Sequence, residues 1–151
     1  VIIRAMTPTD FVNVARSPAF PRPCSDTKGI IAETKHRLHA FCIMDSWTKT
    51  SVQAHLHIEN PMVIRHGFLH EIAQYIFVTA ERQCIIGLVP EDFDWAVKFN
   101  RKIGFKELCT IPDAYDFDIG YVVMHMDRES GARWLEESPY GRRKEQHTAA
   151  A

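Results

Sequence analysis

Cys84-Ile85-Ile86-Gly87-Leu88-Val89-Pro90, followed shortly by Trp95-Ala96-Val97-Lys98-Phe99-Asn100-Arg101-Lys102-Ile103-Gly104-Phe105, reads as a buried strand, a short turn and a helix stopped by glycine. Trp95, Phe99 and Ile103 recur at i, i+4 and i+8, which predicts one apolar stripe on a helix over 94–103. Asp92 or Asp94 is placed to cap its start. Gly104 stands where a left-handed residue ends a helix, and Phe105 opens the next strand.

Upstream, Gly67 to Gln83 has the pattern of a strongly amphipathic helix. Its buried stripe is predicted to be Phe68/Leu69, Ile72/Ala73 and Ile76/Phe77. Val52 to Glu59 alternates sharply, as a strand does: Gln53, His55, His57 and Glu59 fall on one face, Ala54, Leu56 and Ile58 on the other. Toward the N-terminus, Val1–Ala5 reads as a strand. Thr7-Pro8-Thr9-Asp10 starts a helix running to about Arg16, with Thr7 as cap, Pro8 in the first turn and Asp10 closing a capping box. Residues 17–29 hold three prolines (Pro18, Pro21, Pro23) and Gly29 and predict loop. Gly29–Thr34 and Leu38–Trp47 predict a hairpin turned at Lys35-His36-Arg37. Downstream come strands over 105–111 and Ile119–Asp127. Residues 129–151 lose periodicity and read as a frayed tail.

The chain of 151 residues suits one domain, and 46% hydrophobic with 25% charged residues is ordinary for a globular protein. A net charge of −1 and the lack of an aromatic-basic stripe argue against a nucleic-acid partner, and the apolar runs are too short to span a membrane. The opening Val1-Ile2-Ile3-Arg4 has no signal-peptide layout, and Cys24, Cys42, Cys84 and Cys109 form no C-x-x-C pair. Buried free thiols in a reducing cytoplasm are the expectation.

The element order β-α-β-β-β-α-β-α-β-β, with the strand, helix, Gly-Phe, strand run at its C-terminal half, resembles the GNAT-type N-acetyltransferase superfamily over roughly residues 1–127. The opening strand before Thr-Pro-x-Asp-Phe and the Ile30-Ile31-Ala32-Glu33 stretch before a hairpin carry the same resemblance, nearest to small phage-encoded members. It implies an α/β fold, a mixed sheet of about six or seven strands flanked by helices. The acyltransferase domain would cover 1–128 and a partly disordered tail 129–151. It also implies acetyl-coenzyme A, or another acyl-coenzyme A, as co-substrate, and a small-molecule or protein amine as acceptor. A homodimer is an open option.

The family holds the coenzyme A pyrophosphate on amides at the start of the helix after the fourth strand, where unpaired donors and the helix dipole favour an anion. The equivalent segment here is Ile64-Arg65-His66-Gly67-Phe68-Leu69, which keeps one glycine; Ile64 and Leu69 occupy the other signature positions, and Arg65 and His66 add positive charge. Donor-binding candidates are therefore Ile58, Arg65, His66, Gly67, Phe68, Leu69 and Asn100. Asn100 stands where the family often has a tyrosine that protonates the departing thiolate; an amide cannot supply that proton.

Amine acylation needs a base, and an imidazole suits that role near neutral pH. His57, His55 and Glu59 are the candidates, on the polar face of the fourth strand; a half-exposed strand face without catalytic duty is the alternative. Tyr115, Asp116, Asp118 and Tyr121 would line the acceptor groove, with the Pro-rich loop as a second wall. His55-x-His57 with His66-x-x-x-His70 raises the question of a metal, but the glutamate of H-E-x-x-H is replaced by Gly67, and no metal is expected. The rival reading is a non-catalytic protein of this fold with a decayed donor site, such as a phage structural or host-interaction protein.

Overall fold

The computed structural model describes residues 1–15 and 23–136. Seven strands form a single sheet in the order β1-β2-β3-β4-β5-β7-β6, with β1 Ile2–Ala5, β2 Lys28–Thr34, β3 Arg37–Asp45, β4 Ser51–Ile58, β5 Cys84–Pro90, β6 Lys106–Asp116 and β7 Ile119–Asp127. Every neighbouring pair is antiparallel except β4 and β5. A parallel pair needs a crossover, and the chain between these two strands supplies a helical one. The mixed, helix-flanked sheet expected from the element order is what forms.

Two layers of helix cover the sheet. On one face lies α1 (Pro8–Val14), over Ile31, Phe41 and Ile43. Its start is the capping box read from the sequence: Thr7 Oγ1 accepts from the Asp10 amide at 3.4 Å, and Asp10 Oδ2 accepts from the Thr7 amide at 2.7 Å. Asp10 also pairs with Arg4 at 2.6 Å, tying the helix to β1.

The opposite face carries the larger core. Phe68, Ile76, Phe77, Met44 and Val52 are fully buried there, with Ala32, Ala40, Cys42 and Ile85. The stripe predicted over 68–77 is buried as expected, but the helix carrying it differs from the single run over 67–83. A short turn, α2 (Met62–Arg65), comes first; Gly67 then takes φ 92°, and α3 (Phe68–Ala73) follows. From Gln74 to Thr79 the coil widens to a π-helix, with the Ala80 amide donating to Tyr75 O at 2.8 Å. Glycine fits the bend because φ > 0 costs it little. The helix stops before Gln83, whose amide donates to Thr50 O at 2.7 Å and turns the chain into β5.

The helix α4 (Asp94–Ile103) has its predicted bounds, and Gly104 ends it at φ 113°. Neither Asp92 nor Asp94 caps it. Phe93 occupies the cap position without a side-chain bond, and its carbonyl accepts from Ala96 and Val97. Asp94 sits in the first turn instead, favourable to the dipole. Its buried residues are Val97 and Ile103; Trp95, predicted for the stripe, is 66% exposed. Val97 packs on Val89, Val122 and Met124, so α4 is rotated toward β5 and β7.

Three further expectations are corrected. The strand predicted over 105–111 runs on to Asp116 as an exposed edge, because it pairs with β7 beyond the reach of the helices. Residues 129–136, read as the start of a tail, belong to α5 (Arg128–Glu136). Asp127 Oδ1 accepts from the Ser130 amide at 2.8 Å and Ser130 Oγ accepts from the Asp127 amide at 3.1 Å, a capping box that holds the Asp127 carboxyl below its ordinary range. Of the four cysteines, all free, Cys42 alone is buried, with its thiol pushed up to about 12 by desolvation; Cys24 and Cys109 are exposed. Arg16, most of the Pro-rich loop and residues 137–151 lie outside the described residues. No helix among the described residues is long and apolar enough to cross a membrane.

Candidate active site

The parallel pairing of β4 and β5 covers only Ser51↔Cys84, Val52↔Ile85 and Gln53↔Ile86. Past that point β4 stays paired with β3 as far as Ile58, and β5 with β7 as far as Pro90. The two strands therefore splay, and a wedge opens between them from Ala54 and Gly87 onward. The Glu59 amide donates to His39 O at 2.8 Å, on the β3 side. By strand alternation the amides of Ile58, Leu56 and Ala54 point the other way, into the wedge.

A cavity of ≈ 760 Å³ occupies this opening. Register assigns its walls to the two faces of the sheet. Gln53, His55, His57 and Glu59 share the face that bears Phe41 and Ile43; Ala54, Leu56 and Ile58 share the face covered by α3, α4 and α5. The cavity touches both sets, so it passes through the sheet. Its α3/α4 side is apolar, with Leu69, Ile72, Phe99 and Ile103, and Asn100 adds one amide. Its other side is polar, with Asp45, the two histidines and Glu59, and is bounded by Tyr115 and Tyr121 in edge contact, ring centroids 5.5 Å apart.

The candidate bases separate by their partners. His55 Nε2 lies 2.9 Å from Asp45 Oδ1, and Asp45 is a buried carboxylate at the end of β3. A carboxylate only accepts, so this bond places the proton on Nε2 of the neutral ring and leaves Nδ1 with its lone pair. His57 stacks on Phe41 at 5.0 Å between centroids and comes within 3.8 Å of Glu59. Asp45 was not among the residues read from the sequence. Its one signal was a carboxylate closing an otherwise apolar strand, Ala40-Phe41-Cys42-Ile43-Met44.

Of the donor candidates, Ile58, Leu69 and Asn100 line the cavity. The backbone from Arg65 to Leu69 is only partly available. The His66 amide donates to Val63 O and that of Gly67 to Ile64 O, both at 3.1 Å, closing the α2 turn. The amides of Phe68 and Leu69 open α3, where a helix has no internal acceptor for them. Phe68 itself is fully buried, while Arg65 is exposed in the last turn of α2. Asp116 and Asp118 sit at the tip of the β6–β7 hairpin, away from the cavity wall. Asp116 Oδ1 accepts from the Phe117 amide at 2.8 Å, and Asp118 takes φ 59°. His70, weighed with His66 for a metal, donates from Nδ1 to Trp134 O at 2.8 Å. Among the described residues no group of three or more His, Cys, Asp or Glu side chains is placed to hold a metal ion.

Sequence reasoning also missed Trp134. α5 brings it against α3 and α4, where its indole N–H donates to Ile103 O at 2.7 Å and its ring lines the cavity.

No protein-family profile matches the chain, and no curated protein sequence does. Solved structures do match. Spermidine/spermine N-acetyltransferase SpeG from Vibrio cholerae, solved with manganese ions, superposes with a TM-score of 0.70 at 11% identity, over 91% of this chain and 96% of that one. The fold is that of the GNAT-type N-acetyltransferases. The Vibrio cholerae spermidine N-acetyltransferase solved with CoA and spermine agrees, with a TM-score of 0.69 at 10% identity over 87% of this chain and 97% of the other. At such identities the likeness is one of fold.

Proposed function

We propose that this chain is an acyl-coenzyme A-dependent N-acyltransferase, with acetyl the simplest acyl group and an amine as acceptor. The observation that carries this reading is the wedge between β4 and β5, which joins an apolar half-channel under α3 and α4 to a polar half-channel lined by the Asp45–His55 pair. Two substrates can enter from opposite faces of the sheet and meet between the strands. The acyl-coenzyme A arm takes the apolar side, with its thioester carbonyl within reach of the inward amides of Ala54, Leu56 and Ile58. Such fixed donors stabilise the negative charge that develops on that oxygen. The amine takes the polar side. His55 Nδ1 receives its proton as nitrogen attacks the carbonyl carbon, and the carbon–sulfur bond then breaks. Asn100 can hydrogen-bond the departing thiolate, which takes its proton from solvent. Arg65 and the first amides of α3 offer positive charge to the coenzyme A phosphates. A structural neighbour is a spermidine N-acetyltransferase solved with CoA and spermine, so polyamines belong in the first panel of acceptors.

The test is thiol release from acetyl-coenzyme A with a panel of primary amines including spermidine and spermine. Acceptor-dependent release supports the reading. Neither release nor calorimetric binding at millimolar acetyl-coenzyme A would favour a second reading, a non-catalytic protein of this fold. The specific observation behind that rival is the donor loop, where the His66 and Gly67 amides are already consumed.

A further inference from the structure

The wedge between β4 and β5 closes at Gln53 and Ile86, yet the cavity continues past that apex on the helix side. Its lining there includes Ile85, which belongs to the paired part of the sheet, and Met126, which lies opposite Ile85 on β7. Ala73 from α3, Ile103 from α4, Phe105 and Trp134 from α5 complete this inner end. All six are apolar or aromatic residues. The one polar atom among them, the Trp134 indole nitrogen, is engaged by Ile103 O at 2.7 Å. At the apex itself stands Gly87, the first residue of β5 beyond the pairing; a side chain there would start in ordinary contact with Phe105, 3.6 Å away.

A thioester carbonyl held by amides beyond Gln53 would sit at the apex, with its acyl group directed at this inner end. We infer that the inner end is an acyl-chain pocket and that the preferred donor carries a chain longer than acetyl, in the butyryl-to-octanoyl range. The inference rests on the acyltransferase reading above. The physical reason is that the Trp134 and Phe105 rings are only partly covered by protein, and methylenes added to an acetyl group leave water for them, with the buried Ile85 and Met126 as the floor. The absence of a side chain at Gly87 keeps the passage to the pocket open.

The experiment titrates the full chain with acetyl-, butyryl-, hexanoyl- and octanoyl-coenzyme A by calorimetry, with unacylated coenzyme A as competitor. The dissociation constant should fall by about fourfold for each methylene that enters the pocket. A gain of at least about tenfold from acetyl to hexanoyl, at one site and competed by coenzyme A, is the expected result. Gly87→Val should level the series, and Trp134→Ala should move the preferred length upward; thermal melts check that each variant folds. Acetyl-coenzyme A binding followed by a flat or falling series overturns the acyl-chain pocket and leaves the acyltransferase reading standing. Failure of every member to bind overturns both.

Discussion

Asp45 Oδ1 and His55 Nε2 lie 2.9 Å apart across the β3–β4 pair, a buried carboxylate holding an imidazole at the cavity wall. Asp45 is paired in register with Gln53, so its carboxylate reaches His55 diagonally. The pair gives His55 a fixed tautomer and ring orientation.

If His55 is the base, His55→Ala lowers kcat by roughly 10²–10⁴-fold against an identified amine. Asp45→Asn acts through His55 and should lower kcat by at least about tenfold while KM for the acyl donor stays put. His57→Ala should cost less than either. Steady-state kinetics on the three variants decide the order; full activity in His55→Ala would move the base to His57 or Glu59.

Arg65 tests where the donor's phosphates lie. Arg65 is exposed in the last turn of α2, two residues before the bend that opens α3, and Arg65→Ala should weaken coenzyme A binding by about 1–2 kcal/mol, the scale of one charge-assisted hydrogen bond. Dephospho-coenzyme A and pantetheine serve as comparison ligands. Unchanged affinity for all of them would remove Arg65 from the site.

Gly104 tests the helix end that decides how α4 meets β6. Its φ is 113°, and a Cβ there would come 2.8 Å from Ser130 O on α5. Gly104→Ala should therefore destabilise the fold by about 1–3 kcal/mol, read as a lower denaturant midpoint with an unchanged slope.

Acid should loosen the N-terminal corner. Chiefly through its bond to Arg4, the Asp10 carboxyl is held at about 2, below its ordinary 3.8. A depressed folded-state value means that the pair stabilises the fold fully above about pH 4 and loses its effect as pH falls toward 2. Arg4 is a third exposed, so solvent screening reduces the contribution to about 1 kcal/mol. Asp10→Asn should show that loss at neutral pH, and its stability should then differ little from the parent chain's at pH 2.

The architecture was legible because it is written in short-range patterns. Thr7-Pro8-Thr9-Asp10 forms its cap from side chains three residues apart. Gln53, His55, His57 and Glu59 share a face through the period of two, and glycine suits the left-handed helix end at Gly104. Each of these is decided by the chain's own dihedrals and steric limits.

What required the tertiary structure is everything set by contacts between distant segments. The pairing of Asp45 with His55 depends on the β3–β4 register. Trp134 reaches the cavity because α5 docks on α3 and α4, held by His70 and Ile103 across more than sixty and thirty residues of chain respectively. The bend at Gly67 and the π-helical turn after Ala73 come from packing a crossover over the splayed strands. Local periodicity carries no information about which strand edge stays unpaired, and the unpaired edges of β4 and β5 are what make the cavity. By itself the sequence determined the elements and their polar and apolar faces, because those follow from the backbone's geometry. The site was decided only when long-range packing left one gap in the sheet and brought Asp45, His55 and Trp134 to its walls.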